Sequence, residues 1–403
     1  MSLLHPAMFL LLSAALILLS LERVGRWRGQ VLLSLSLAFL ALEYEFDMAS
    51  LGALAAMVGV HYLTVRCMLR TASPSARGWL FWLWFAPCLG VFAVLKHYQW
   101  LTGDRVARIV SPELVTVGLS FLLFRQIHIA VSAMHGSVSA LPFVEYLTYN
   151  LAFWTFLAGP IQRFDDFREQ FGRLAGSASV TSRTVIGSLN RALLGMLKMF
   201  VLGRLLQRAS GLEPFLADPG YGSLARLLAA YPLYLYVNFS GYCDVMIGLA
   251  RAVGFKLPEN FSSPLLARNP VDYWNRFHIT LSEFFRDYVY YPLQLAFERR
   301  GFRAAALPAA ALSSFALMGA WHGNRAGFVV FGLVHGMGVA AAFGWRSILR
   351  ARLGKDGLRR YMDSLGIRIA ATACFQLFWV LSFLPYQFDG EQLGRIFATV
   401  RTL

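Results

Sequence analysis

Long apolar runs separated by short polar stretches dictate what this chain can fold into. They occupy residues 7–21, 31–42, 50–64, 79–95, 114–124 (continuing toward 133), 141–158, 185–206, 224–252, 304–320, 327–342 and 367–385. A helix needs about twenty apolar residues to cross a bilayer, so these runs predict an all-α polytopic membrane protein of about eleven transmembrane helices, the shorter ones in locally thin bilayer or partly in the interface. Composition agrees. Of 403 residues, 57% are hydrophobic and 15% charged, where soluble domains carry roughly a quarter charged. A soluble enzyme and a disordered chain are excluded. So is a disulfide-stapled secreted domain, because Cys67, Cys88, Cys243 and Cys374 stand singly.

Lys and Arg number 37 against 22 Asp and Glu, a formal charge of +15. In a multi-span protein such an excess sits in cytoplasmic loops and on anionic headgroups, so membrane lipids, and no nucleic acid, are the expected partners. Residues 22–30 and 66–78 are basic, and residues 43–47 between them are acidic. The positive-inside rule puts both basic stretches in the cytoplasm and the N-terminus outside. Run 7–21 lacks the positive flank of a cleaved signal peptide and reads as a first span. The most basic stretch, residues 345–363 with Arg346, Arg350, Arg352, Lys355, Arg359 and Arg360, is expected as a cytoplasmic loop before a C-terminal span. One membrane domain over residues 1–403 is the economical organisation, with N-terminal spans in residues 1–110.

Three apolar segments are interrupted: at Gly159 and Pro160, at Asn238 to Gly241, and at Gly319 to Gly323. Lipid tolerates broken backbone only where it is buried in protein or lines a wet cavity, so re-entrant or amphipathic helices around a central tunnel are expected. Residues 269–288 carry the strongest local pattern. On a single helix Asn275, His278, Ser282 and Arg286 would share one face, opposite Phe277, Leu281, Phe284, Phe285 and Tyr288. That helix either lies in the interface with its polar face in headgroups or re-enters the protein with Arg276 and Arg286 available to an anion.

Trp321, His322 and Gly323 end a run of small apolar residues, and His335 sits in a second, glycine-rich run. An ionisable group at membrane depth is a functional candidate, although a core histidine bonded to a carbonyl is the plainer alternative and packing the favoured role for His335. No HxH or HExxH spacing supports a metal, and no GxSxG elbow or P-loop supports a serine hydrolase or a nucleotide-driven machine.

Taken in order, these motifs resemble the membrane-bound O-acyltransferase family. Asp272 to Ser282, Phe285 to Tyr290, Trp321-His322-Gly323 and Val334-His335-Gly336 carry the resemblance. Gly118 to Phe121, Ala158 to Phe164, and Asn238 to Asp244 through Pro258 to Phe261 agree upstream. The likeness covers residues 115–345 as a catalytic core. It is greatest to the bacterial branch of alginate O-acetylases, peptidoglycan O-acetylation proteins and teichoic acid D-alanyl transfer proteins. Residues 294–300 lack the Gly-Gly-Asn-Arg common in the alginate type, and Trp274-Asn275-Arg276 is more similar to the D-alanyl type, so the acyl group is left open between acetyl and D-alanyl.

The resemblance implies an enzyme of the bacterial cytoplasmic membrane. It would move a small acyl group from a cytoplasmic thioester, acetyl-CoA or the phosphopantetheine of an acyl carrier protein, to a hydroxyl of an extracytoplasmic glycan or partner protein. No bound cofactor is implied; an extracytoplasmic acyltransferase is an implied partner. His322 would be the general base, with His278 and Asn275 polarising the thioester carbonyl or orienting the acceptor. Arg276, Arg286 and Arg163 would hold the donor's anion, with Trp274, Ser282, Trp321 and His335 as further binding candidates. A transporter or flippase and a non-catalytic scaffold for a secreted acyltransferase are the rival classes.

Overall fold

The computed structural model describes residues 27–95, 118–175 and 181–403. The expected first span, the outside N-terminus and most of the 22–30 basic stretch lie outside the described residues. Among the described residues six helices are long and apolar enough to cross a membrane. Ordered structure is otherwise helical too, apart from one antiparallel bridge between Phe261 and Phe277. The described chain forms two compact units. The first comprises residues up to Gly195 together with Tyr242–Pro258, the second Met196–Gly241 and Glu259–Leu403.

In the first unit α1 (Arg28–Glu43), α2 (Met48–Arg70) and α3 (Pro74–Leu95) precede α4 (Leu119–Met134), α5 (Phe143–Leu151) and α6 (Phe164–Ala175). Asp47 starts α2 as an N-cap, its carboxylate accepting from Ala49 N and Ser50 N, which satisfies amide protons that the first turn leaves open. A hydrogen bond from the Ser50 side chain, and after it those from the Ser50 and Ala49 amides, hold the Asp47 carboxyl below its ordinary value. Inside the unit, the ring nitrogens of His61 reach Tyr146 Oη at 2.8 Å and Gln126 O at 3.0 Å, tying α2 to α5 and α4.

The centre of this unit is Arg125. Its guanidinium is 2% exposed and donates to Tyr149 O at 2.9 Å, Asn150 O at 2.8 Å, Thr155 O at 2.8 Å and Phe121 O at 3.3 Å. The backbone leaves helix geometry at Ala152, between α5 and the short turn Phe153–Phe156. Carbonyls stranded there have no water to turn to, and the fork of Arg125 satisfies three of them at once. Gly118, with φ 80°, starts α4 where a Cβ would stand 2.3 Å from the Phe156 ring. The expected interruption at Gly159 and Pro160 is present as irregular backbone with a cis peptide bond.

α7 (Ser182–Leu197) continues through the π turn Lys198–Gly203 into the second unit. α8 (Tyr221–Ala252) is one helix of 32 residues, so the expected break at Asn238 to Gly241 does not occur. Ser240 Oγ donates to Val237 O at 3.2 Å, so this hydroxyl is satisfied within its own helix and forces no rupture.

The segment around residues 269–288 corrects the single-helix expectation. It is divided into α9 (Pro270–Trp274), α10 (Ile279–Phe285), a π turn at Arg286–Tyr290 and α11 (Tyr291–Arg299). Then come α12 (Arg303–His322) and α13 (Ala326–Asp363), the latter broken at Gly354 with φ 67°. The basic stretch 345–363 is therefore helical, as its Arg and Leu residues favour. α12 and α13 pack backbone to backbone. A Cβ on Gly332 would lie 2.1 Å from Phe315 O, and one on Gly319 2.2 Å from Phe328 O, so only glycine permits this approach. α14 (Leu365–Ser382), α15 (Leu384–Gln387) and α16 (Gly390–Val400) complete the unit. Ile396 of α16 joins Leu212, Phe215, Leu227 and Phe388 in a buried apolar cluster.

Candidate active site

All but one of the sequence-derived site residues fall in the second unit. Asn269 opens α9 by accepting from Asp272 N at 2.9 Å, with Pro270 at the first helical position. Asp272 in turn accepts from Arg276 Nε at 2.7 Å and from Arg268 N at 3.1 Å. Arg276 also donates to Ser262 O at 3.3 Å. Its charge is thus balanced by a carboxylate one helical turn away, and its fork braces the turn.

After Asn275, which is exposed, the chain reverses through His278 in the left-handed region at φ 46°. Pairing with a remote strand-like segment enforces that conformation. Ser262 N donates to Arg276 O, Ile279 N donates to Asn260 O, and the buried Asn260 side chain accepts from Thr280 N at 3.1 Å and Thr280 Oγ1 at 2.7 Å. Asn260→Ala strips two buried donors of their acceptor and is expected to lower stability by about 1–3 kcal/mol. Thermal unfolding of the detergent-purified protein measures this.

The turn buries the His278 imidazole edge-on to Phe239, ring centroids 4.7 Å apart. Its Nδ1 is shielded from solvent and has no hydrogen-bond partner. His322 lies within electrostatic reach of it. His322 is the last residue of α12, freed from the helix by Gly323, and it is only half-buried. Trp321, Phe328 and Tyr386 surround its ring at centroid distances of 4.8, 6.1 and 5.4 Å, and Tyr386 Oη stands 3.5 Å from Nδ1.

His335 is differently placed. Trp274 Nε1 donates to its Nδ1 at 3.2 Å, and its Nε2 meets Ser382 Oγ at 3.0 Å. Indole can only donate, so Nδ1 accepts, Nε2 carries the proton, and Ser382 passes its own proton to Trp379 O at 2.7 Å. Both ring nitrogens are engaged, and Trp274 and His335 together fasten α9 to α13 and α14.

The expected polar stripe dissolves with the helix that would have carried it. Ser282 Oγ turns back to Phe277 O at 3.4 Å, and Arg286 pairs with its neighbour Asp287 at 2.8 Å on an exposed turn. That hydrogen bond holds the Arg286 guanidinium above its ordinary pKa against a partial burial that lowers it. Arg163 belongs to the first unit, exposed just before α6, where its carbonyl accepts from Phe167 N. Among the described residues no three His, Cys, Asp or Glu side chains gather as a metal site. Sequence patterns missed Asn260 and Tyr386 as site residues. The Pro258 to Phe261 motif pointed at the first; no local signal marked the second.

The family model for MBOAT, the membrane-bound O-acyltransferase family, matches residues 75–384. This chain belongs to that family. Three similar proteins show the range of MBOAT relatives. A probable alginate O-acetylase AlgI of Pseudomonas syringae pv. tomato is 30% identical over 233 residues, 58% of this chain and 43% of that protein. A teichoic acid D-alanyltransferase of Streptococcus thermophilus is 27% identical over 284 residues, 66% of this chain and 68% of that protein. A peptidoglycan O-acetyltransferase of Helicobacter pylori is 33% identical over 208 residues, 49% and 37% of the respective chains. The match spans about half the length of the alginate O-acetylases. The MBOAT match takes in His278, His322 and His335, and the chain is a multi-pass membrane protein.

Proposed function

We propose that this chain is an O-acyltransferase of the bacterial cytoplasmic membrane, working as one membrane domain around a central tunnel. It transfers an acetyl or D-alanyl group from a cytoplasmic thioester, coenzyme A or carrier-protein phosphopantetheine, to a hydroxyl of an extracytoplasmic glycan or partner protein. The observation that carries the reading is His322, a half-buried imidazole at a helix end beside a glycine, in the same unit as the turn that buries His278.

His322 Nε2 takes the acceptor's hydroxyl proton as the oxygen bonds to the thioester carbonyl carbon. The tetrahedral intermediate collapses with cleavage of the C–S bond, and His322 returns the proton to the departing thiolate. The role of His278 toward the thioester carbonyl requires its shielded Nδ1 to be uncovered as substrate enters, so that it can donate to the oxygen as negative charge develops there. Asn275, at the mouth of the same turn, orients the acceptor. Arg286 and Arg163, both exposed, are the guanidinium groups suited to a donor phosphate, whereas Arg276 serves the turn itself. Mass spectrometry of cell-envelope glycans with and without this protein tests the proposal. Loss of an acetyl or D-alanyl ester supports it and names the group; unchanged ester content contradicts it.

An outside N-terminus and a cytoplasmic 66–78 stretch belong to the same proposal, on the alternation of loop charges. A cysteine at Glu45 is expected to react with an impermeant thiol reagent in intact cells and one at Ser75 to stay silent. Glu45 is preferred to Asp47, whose carboxylate caps α2. The reverse labelling would invert the topology.

A further inference from the structure

Tyr386 lies 64 residues from His322 in sequence, yet its hydroxyl stands 3.5 Å from His322 Nδ1. That is the outer limit of a hydrogen bond, and catalytic hydrogen bonds are often long before substrate binds. The tyrosine is held rather than loosely placed. Its ring is walled by Phe328, Phe331, Phe383 and Tyr231, at centroid distances of 4.7, 5.1, 5.7 and 6.3 Å. Next to it, Gln387 Nε2 donates to Ser210 O at 2.8 Å. The residue before it, Pro385, presents a carbonyl oxygen that would stand 1.9 Å from a Cβ on Gly327, so α13 abuts this turn so closely that only glycine fits. Gly327 is the second residue of the helix that follows the His322-Gly323 break. The base and the tyrosine are therefore referenced to one piece of backbone.

We propose that Tyr386 is the positioning residue of the catalytic histidine: its phenol oxygen accepts the Nδ1 proton of His322 and so leaves the Nε2 lone pair for the acceptor hydroxyl. The assignment rests on His322 being the base. A neutral imidazole carries one proton, and whichever nitrogen holds it cannot be the base. If Nδ1 donates to Tyr386, Nε2 is competent. If instead the phenol donated to Nδ1, the proton would sit on Nε2 and the base would be blocked. Tyr386 thus does by a neutral oxygen what a carboxylate does for the histidine in a Ser-His-Asp site. An acidic partner would be costly to bury among these aromatic rings.

Purified full-length protein assayed with an acyl thioester tests this. Tyr386→Phe keeps the ring and its packing and is expected to lower kcat about 10-fold or more, with KM for the donor unchanged. In the His322→Ala background the same substitution is expected to cost nothing further. Fluorinated tyrosines placed at 386 keep the hydroxyl and the shape but weaken the oxygen as an acceptor, so kcat falls as fluorine is added. Wild-type kcat in Tyr386→Phe, a rise in kcat with fluorination, or additive losses in the double variant would each overturn the assignment. A donor KM that rises while kcat holds would do so too, since it marks binding rather than base positioning. An active His322→Ala protein would instead remove the base on which the assignment stands, a failure distinguishable from a silent Tyr386→Phe beside a dead His322→Ala.

Discussion

His322→Ala is expected to insert and fold at wild-type levels, to bind the thioester donor, and to lose acyl transfer by roughly 10²- to 10⁴-fold or more, the range that general-base assistance supplies. The side chain sits half-exposed at the end of α12, where Gly323 ends the helix. Truncating it opens no core cavity, and the loss falls on kcat. His278→Ala is expected to be less severe, since it removes a donor toward the developing oxyanion and leaves the base in place. Acyl transfer by detergent-purified variants, with donor binding measured separately, reads both effects. Near-normal turnover by a correctly inserted His322→Ala protein would remove His322 as the base, and no transfer by the purified wild-type protein would favour a scaffold or transporter over an enzyme.

Arg125→Met is expected to have the largest effect on stability, on the order of 3–5 kcal/mol. Methionine fills much of the volume but leaves the carbonyls of Tyr149, Asn150 and Thr155 without their donor at a break in the helix. Lysine, with one ammonium where the guanidinium offers a fork, recovers only part of the loss. Yield of monodisperse protein and melting temperature should fall in the order Arg, Lys, Met. A methionine variant as stable as the wild type would show that the carbonyls find other partners.

What the sequence disclosed follows from the range of the interactions involved. The six long apolar helices among the described residues were legible because a bilayer demands uninterrupted apolar length, a property of consecutive residues; the count of about eleven is not confirmed by them. The close packing of α12 on α13 was legible in Gly319, Gly332 and Gly336, because a missing Cβ is written in the residue itself. The turn at His278 was not. Residues 269–288 keep a helical spacing of polar and aromatic side chains, and what breaks that helix is pairing with Asn260 to Ser262, a contact no periodicity encodes. Asn238 to Gly241 misled in the opposite sense, as the helix runs through them unbroken and the Ser240 hydroxyl bonds within it. Arg125 stands in an apolar run with nothing nearby in sequence to explain it, and its meaning lies in carbonyls 24 to 30 residues further on. His322 and His335 each stand beside a glycine in an apolar run, and local context gave no more than a preference for packing at His335. Only their partners separate a half-buried imidazole beside Tyr386 from one closed between Trp274 and Ser382.

The central claim, that this protein itself catalyses acyl transfer through His322, is tested most directly in proteoliposomes that contain no other protein, supplied with an isotope-labelled acyl thioester and a hydroxyl acceptor. Acetyl-CoA and a D-alanyl carrier-protein thioester are to be compared, with alginate, peptidoglycan fragments and lipoteichoic acid as acceptors. The account predicts labelled ester and stoichiometric free thiol from one donor with the wild-type protein, and neither above background with His322→Ala. Equal turnover by the two proteins, or label that crosses the membrane without forming an ester, would contradict it.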